Sequence, residues 1–458
     1  MGDSLTLNIG AERNYFFRKG IFIALPVMLQ NLIAVGLNII DSIMIGGLGE
    51  AAMAGVGAAN QIYMIYSEVC FGTFSGAAVF VSQFWGIRDR TTVRKVVGID
   101  FSIAIVSALV FILGIQFTAP QLIWLFSHKE SVIDLGSQYI QVAKYSYMLV
   151  GITFCINYNC RIVQKLVLPT IISAAALGVN TLFNWFLIYG KCGFPELGVQ
   201  GAGYATIIAR ALEVIGMFAC VYLQKTHPLR ASLKELLSFD RKLFRDVIRM
   251  ALPACGTEVG WAVCVSFVYM AYGRISAEAL AVVSVTETIA CFFQCIFFGL
   301  GNATGFIIGD CLGRGETERS YYFARLSLKI TWVFNVLMTV AMLLIRPFIV
   351  QFYNFTPETI DLLYVTLAIW AFTITPKMLG YVMICGFMRT GGDTLFAFKI
   401  DFSMNILQVA LAFFGVLVMH WSLPAIVAFT CLSEVGKCFM GYSRLYSKKW
   451  INVVTDAV

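Results

Sequence analysis

Three carboxylates stand where a charge is costly. Asp41, Glu258 and Glu287 each fall well inside long apolar stretches of this sequence. An ionisable group at such depth normally faces a cavity or a partner. A carboxylate there can hold a proton, and the same oxygens can coordinate Na⁺ when amide or hydroxyl oxygens join them. Asn180 and Asn184 supply such amides one helical turn apart on one face. Thr206 offers a hydroxyl that completes an oxygen cluster with Asp41, while Glu258 and Glu287 are expected to pair in the second half of the chain. The plainer role for these polar groups is hydrogen bonding to neighbouring helices. Other chemistries have little support. His128, His227 and His420 are scattered, none of the 13 cysteines has zinc or redox spacing, and no nucleophile with an acid–base partner stands out, so neither a metal centre, a cofactor nor an enzyme is expected.

The elements that must position these residues are membrane spans. The chain of 458 residues is 59% hydrophobic and 13% charged, against about a quarter charged in soluble domains. A bilayer-spanning helix takes about 20 apolar residues. Hydropathy places twelve spans near residues 18–46, 52–85, 96–120, 137–160, 166–190, 200–224, 246–273, 278–308, 322–345, 360–387, 395–418 and 422–443. The first is too long for a secretory signal and is expected to be retained. Lysine and arginine concentrate in one set of loops, from Arg88 to Lys95, at Arg161 and Lys165, between Lys225 and Arg245, and at Arg314, Arg319 and Arg389, with both chain ends on the same side. That side is expected to be cytoplasmic, in a multi-pass protein of the plasma membrane. The net charge of +7 is then a topology signal, not a nucleic-acid footprint. The polar stretch Lys225–Arg245 reads first as a cytoplasmic linker, with a composition that also suits a helix lying at the inner membrane surface, and it separates an N-terminal lobe (1–224) from a C-terminal lobe (246–458).

The two lobes repeat each other. At an offset of 227 residues, Ala24-Leu25-Pro26 overlays Ala251-Leu252-Pro253, Gly46 overlays Gly273, Phe71-Gly72 overlays Phe298-Gly299 and Gly86 overlays Gly313; Arg161 matches Arg389 at 228. Six spans per half give both halves the same orientation, with a cavity expected between them and alternating access as its mechanical use. The carboxylates are not duplicated: Asp41 overlays Val268, Glu258 overlays Asn31 and Glu287 overlays Asn60. The asymmetry points to specialised duties. Pro26 and Pro253 each remove a backbone hydrogen bond from a long helix and are hinge candidates, a static kink being the simpler alternative. Arg210 with Glu213, and Glu434 with Lys437, are opposite charges at i, i+3 and are expected to be structural pairs. Asp100 and Asp401 are expected near the cytoplasmic surface.

The chain resembles the multidrug and toxic compound extrusion (MATE) family over nearly its whole length. The matching stretches are Asp41-Ser42-Ile43-Met44-Ile45-Gly46-Gly47-Leu48-Gly49, Phe194-Pro195-Glu196-Leu197-Gly198-Val199-Gln200-Gly201-Ala202 and Gly386-Phe387-Met388-Arg389-Thr390-Gly391-Gly392-Asp393-Thr394; the closing Trp450-Ile451-Asn452 is similar to the Gram-positive branch. The resemblance implies an all-α integral membrane protein, twelve helices in two homologous six-helix bundles around a V-shaped central cavity. It implies an antiporter that exchanges Na⁺ or H⁺ for small, often cationic compounds and acts as a monomer in the lipid bilayer. It assigns cation coupling to Asp41 with Asn180, Asn184 and Thr206 in one half, and to Glu258 in the other. Two departures stand out. Some members carry an aspartate at Asn184, and some carry an acid on helix ten where this chain has none, a duty Glu287 is expected to assume. A lipid or oligosaccharide-lipid flippase of the wider superfamily is the alternative.

Overall fold

A computed structural model describes residues 9–352 and 355–453. The first half comprises α1 (Ile9–Gly46), α2 (Glu50–Gly86), α3 (Arg90–Trp124), α4 (Glu130–Ala143), α5 (Ser146–Ile162), α6 (Val167–Tyr189) and α7 (Gly198–Tyr222). A single turn, α8 (Leu233–Leu236), follows. The second half comprises α9 (Arg241–Gly273), α10 (Ala277–Gly313), α11 (Thr317–Ile349), α12 (Pro357–Tyr381), α13 (Thr394–Leu417) and α14 (Leu423–Tyr446), with α12 running on as a π-helical turn over Val382–Met388. Among the described residues, 11 helices are long and apolar enough to cross a membrane. The fourth expected span is the exception, because the chain breaks at Lys144 and Tyr145 into α4 and α5. The break accommodates Lys144, whose buried ammonium donates to the side-chain oxygens of Gln116 and Gln141.

Polarity is arranged inside out. Phe117 and Phe439 are 76% and 78% exposed, whereas Asp100, Thr304, Ser433 and Asn335 are buried. Apolar side chains turned outward and polar groups turned inward suit hydrocarbon as solvent. Small residues set the closest crossings. At Gly55 and Gly136 the backbones of α2 and α4 meet, and at Gly76 the backbone of α9 at Met250 and Ala251 leaves no room for a side chain.

The chain packs into two compact units, one spanning Leu29–Ala251 and the other joining α1 up to Met28 with everything from Leu252 onward. The continuous helices α1 and α9 therefore each change units, two residues from Pro26 and Pro253. The start of α1 is fastened to α10 and α11 by Glu12–Arg319 (2.7 Å) and Lys19–Asp310 (3.0 Å), with Phe16 against Phe323. The connector packs with the first half. Its expected surface helix is corrected to the one turn α8, because Ser232 and Glu235 cap each other there and the next helix starts already at Arg241. Gly98 on α3 lets the backbone of Leu236 rest against it, and Arg94 reaches Glu235 (3.3 Å) and the Pro228 carbonyl (3.3 Å). His227 is buried in this connector, its Nδ1 accepting from the Leu229 N–H, and burial together with Lys165 pushes its pKa down to about 4, so it stays neutral.

Candidate functional site

Asp41 lies five residues before the end of α1, about 7 Å along the axis at 1.5 Å per residue. Its Oδ1 accepts from Asn184 Nδ2 (3.0 Å) and from Thr181 Oγ1 (3.1 Å), both on α6. Asn180 stands one turn before Asn184. With its amide nitrogen toward Asp41 it donates to Oδ2 (2.9 Å) and accepts from the Thr206 N–H (3.2 Å). With the amide reversed, its nitrogen reaches Thr206 Oγ1 (3.4 Å) and its oxygen turns to Asp41. Asn184 is 3% exposed and its Oδ1 has no partner. Among the described residues no lysine or arginine shares Asp41, so its charge is met only by amide and hydroxyl dipoles. All four residues singled out in the first half are thus within one cluster, and Thr181 is a member the sequence reading missed. It follows Asn180 directly, and the i, i+3 spacing to Asn184 was its only signal.

The second half is built differently. Glu258, on α9 five residues after Pro253, accepts from Arg389 at 2.7 Å. Arg389 comes at the end of the π-helical turn, where Gly391 and Gly392 follow. Gly392 has φ 80°, and at Gly391 the backbone of Trp450 comes too near for any side chain. Asp401 on α13 is also within electrostatic reach of Glu258. It binds Lys437 of α14 (3.0 Å), which also holds Glu434 (3.2 Å) and Asn405 Oδ1 (2.7 Å), while Asn405 Nδ2 donates back to Asp401 (2.8 Å). Lys437, Asp401, Glu434 and Asn405 are all at most 8% exposed. Asp401 is therefore packed among helices, and so is Asp100 at 0% exposed. Glu287 is not brought to Glu258. It sits about 15 Å from the start of α10, and its electrostatic neighbours are Tyr269, Tyr272 and Cys291.

The repeat sharpens the contrast. Arg161, the counterpart of Arg389, donates to Gln30 on α1 (2.9 Å) and to Asn157 (3.2 Å). Asn157 donates to Ser173 (3.0 Å), Ser173 to Glu213 (2.7 Å), and Glu213 pairs with Arg210 (2.7 Å). In the second half Asp401 stands 228 residues after Ser173, and Glu434 and Lys437, the i, i+3 pair of the last helix, stand 224 after Arg210 and Glu213. The same scaffold thus carries networks of opposite polarity: two arginines to one glutamate in the first half, three carboxylates to two cations in the second.

Comparison with known proteins agrees with this duplicated architecture. The MatE family model matches residues 26–186 and again 253–414, once in each half. An uncharacterized transporter, YisQ of Bacillus subtilis, is 22% identical over 440 residues, 93% of each chain. A probable multidrug resistance protein, YoeA of the same organism, is 23% identical over 403 residues, covering 85% of this chain and 84% of its own. A probable multidrug resistance protein NorM of Thermotoga maritima is 22% identical over 341 residues, 74% of this chain and 73% of its own. In fold, the chain superposes on a crystal structure described as MATE in the bent conformation with a TM-score of 0.85 at 17% identity, covering 99% of this chain and 100% of that one. A MOP superfamily transporter from Pyrococcus furiosus gives 0.85 at 16% identity, covering 94% and 96%. The chain belongs to the MatE family and is a multi-pass membrane transporter, not an enzyme.

Proposed function

We propose that this protein is a secondary active antiporter of the plasma membrane that exports small cationic or amphipathic organic compounds in exchange for Na⁺ or H⁺. The observation that carries the proposal is Asp41: a half-buried carboxylate without a basic partner among the described residues, ringed by groups that can each offer an oxygen. Reversing the Asn180 amide exchanges an N–H donor to the bare carboxylate for an oxygen ligand to a cation. Asn184 Oδ1, unpartnered, is a further ligand within the same cluster. In the second half the excess carboxylate among Glu258, Asp401 and Glu434 is neutralised by one monovalent cation or proton, which competes with Arg389 and Lys437 for the same oxygens. Glu287 stands outside that group and acts, if in coupling, on its own.

Pro26 links cation binding to movement in this reading. The segment of α1 before it is tied to Asp310 and Arg319, and the segment after it carries Asp41. Bending there changes the angle between the two, and Pro253 does the same for Glu258 on α9. Both chain ends face the cytoplasm, and the protein works as a monomer in the bilayer.

Reconstituted in liposomes under an imposed Na⁺ or pH gradient, the protein is expected to move an ethidium-like dye, and the gradient that drives it identifies the coupling ion. Movement of a fluorescent lipid headgroup without dye transport under either gradient refutes export and supports a flippase instead.

A further inference from the structure

A second buried acid in the first half lies apart from Asp41. Asp100, ten residues into α3 and about 15 Å along it, is 0% exposed and meets Asn159 of α5, which is 1% exposed. Both N–H groups of the Asn159 amide are used: one donates to Asp100 Oδ2 (2.9 Å), the other to the Cys155 carbonyl (3.0 Å). Two oxygens are left over. Asp100 Oδ1 and Asn159 Oδ1 are both buried and have no hydrogen-bond partner. Buried polar atoms without partners are rare in folded proteins, and each calls for a donor or an ion.

Among the described residues the surroundings supply no counter-charge. The titratable groups gathered about Cys155, next to Asn159, are thiols, Cys70 on α2 and Cys160 on α5, with Cys220 of α7 beyond Cys160. Among the described residues, charged groups on the packed elements have partners of their own: Lys144, between α4 and α5, Gln116 and Gln141; Glu235 on α8, Arg94; Arg161, Gln30 and Asn157; and Arg210 on α7, Glu213, while Glu68 on α2 is itself an acid and offers no counter-charge. An ionised Asp100 is therefore an unpaired charge in an apolar interior, which is far costlier than its neutral form. The oxygens that the hydrogen bonds bring together here are the two of Asp100, Asn159 Oδ1 and the Cys155 carbonyl, fewer than the shell that a hard cation takes from oxygen ligands. A single proton on Asp100 Oδ1 answers both deficits. It removes the charge and provides the donor that Asn159 Oδ1 lacks, so that acid and amide each give the other one hydrogen bond.

We propose that Asp100 and Asn159 form a proton-binding site joining α3 to α5, in which the acid is uncharged and its Oδ1–H is donated to Asn159 Oδ1. The site does not depend on what the protein carries, so its test is separate from any transport assay. Infrared difference spectra of the purified protein at neutral pH are expected to show the C=O stretch of a protonated carboxyl in the wild type that is lost in Asp100→Asn. The exchange variant Asp100→Asn/Asn159→Asp is expected to show it again, because acid and amide have only traded places. In Asn159→Leu the band is expected to move to higher frequency, since the acid then has no acceptor. A wild-type minus Asp100→Asn spectrum with carboxylate bands in place of the protonated one overturns the proposal. Should Asp100→Asn fail to fold, a band unmoved in Asn159→Leu overturns it equally, and failure of all three variants to fold, although each is uncharged or conserves the acid, contradicts a neutral pair.

Discussion

Asp41→Asn is expected to lower gradient-driven dye transport about tenfold to a hundredfold while leaving the protein folded. Hydrogen bonds and contacts to a charged group contribute roughly 1.5–3 kcal/mol, and each 1.4 kcal/mol is about tenfold in an equilibrium. Replacing this one charge by an amide removes the only anion in the cluster of Asn180, Thr181, Asn184 and Thr206. The fold is expected to tolerate the change because no cation is left stranded: among the described residues no lysine or arginine pairs with Asp41. The measurement is initial transport rate in liposomes, with thermal unfolding in detergent as the check on folding. A variant that transports at the wild-type rate shows that the carboxylate is dispensable.

Lys437→Met is expected to have the largest effect on stability. Lys437 is 5% exposed and is shared by Asp401, Glu434 and Asn405. Breaking a buried ion pair by removing one partner costs about 3–5 kcal/mol, because the remaining charge is stranded, whereas removing both partners is far milder. Two carboxylates are stranded here. The variant is expected to unfold at a clearly lower temperature, and adding Asp401→Asn is expected to restore much of the loss. The deficit is also expected to shrink as pH falls, since protonation of Asp401 or Glu434 discharges the uncompensated site. Unchanged melting in Lys437→Met at neutral pH means that the cluster is solvated and not a buried network.

The two variants probe features that were legible in the sequence to different degrees. The duplicated scaffold was plain, because apolar spans and punctuating residues such as Pro26 and Pro253 or Gly86 and Gly313 keep their spacing, and the family model matches each half at that spacing. The Asp41 cluster was legible because Asn180 and Asn184 announce one helix face. The partners of Asp401 were not, since hydropathy locates a span but not which of its faces packs inward. Only packing shows that Asp401 and Asn405, one turn apart on α13, close on Lys437 of α14. The break at Lys144 was hidden for a similar reason: it has neither proline nor glycine at the break and depends on Gln116, 28 residues away. The connector reads as amphipathic by composition, yet only the single turn α8 forms there, its Leu236 backbone resting on Gly98 of α3 while Leu233 and Leu237 stay exposed. Arg389 was noted as half of a repeat pair, while its contact with Glu258 spans 131 residues and has no local signature.

Unequal cation coupling is tested most directly by the ions a substrate displaces. A lipophilic cation such as tetraphenylphosphonium added to the purified protein in weakly buffered solution is expected to release H⁺, read as acidification, or Na⁺, read with a selective electrode. Release is expected to fall in Asp41→Asn without vanishing, because the cluster of Glu258, Asp401 and Glu434 still holds its cation, and to vanish when Glu258→Gln is added. No release from the wild type, or release undiminished in the double variant, contradicts the account.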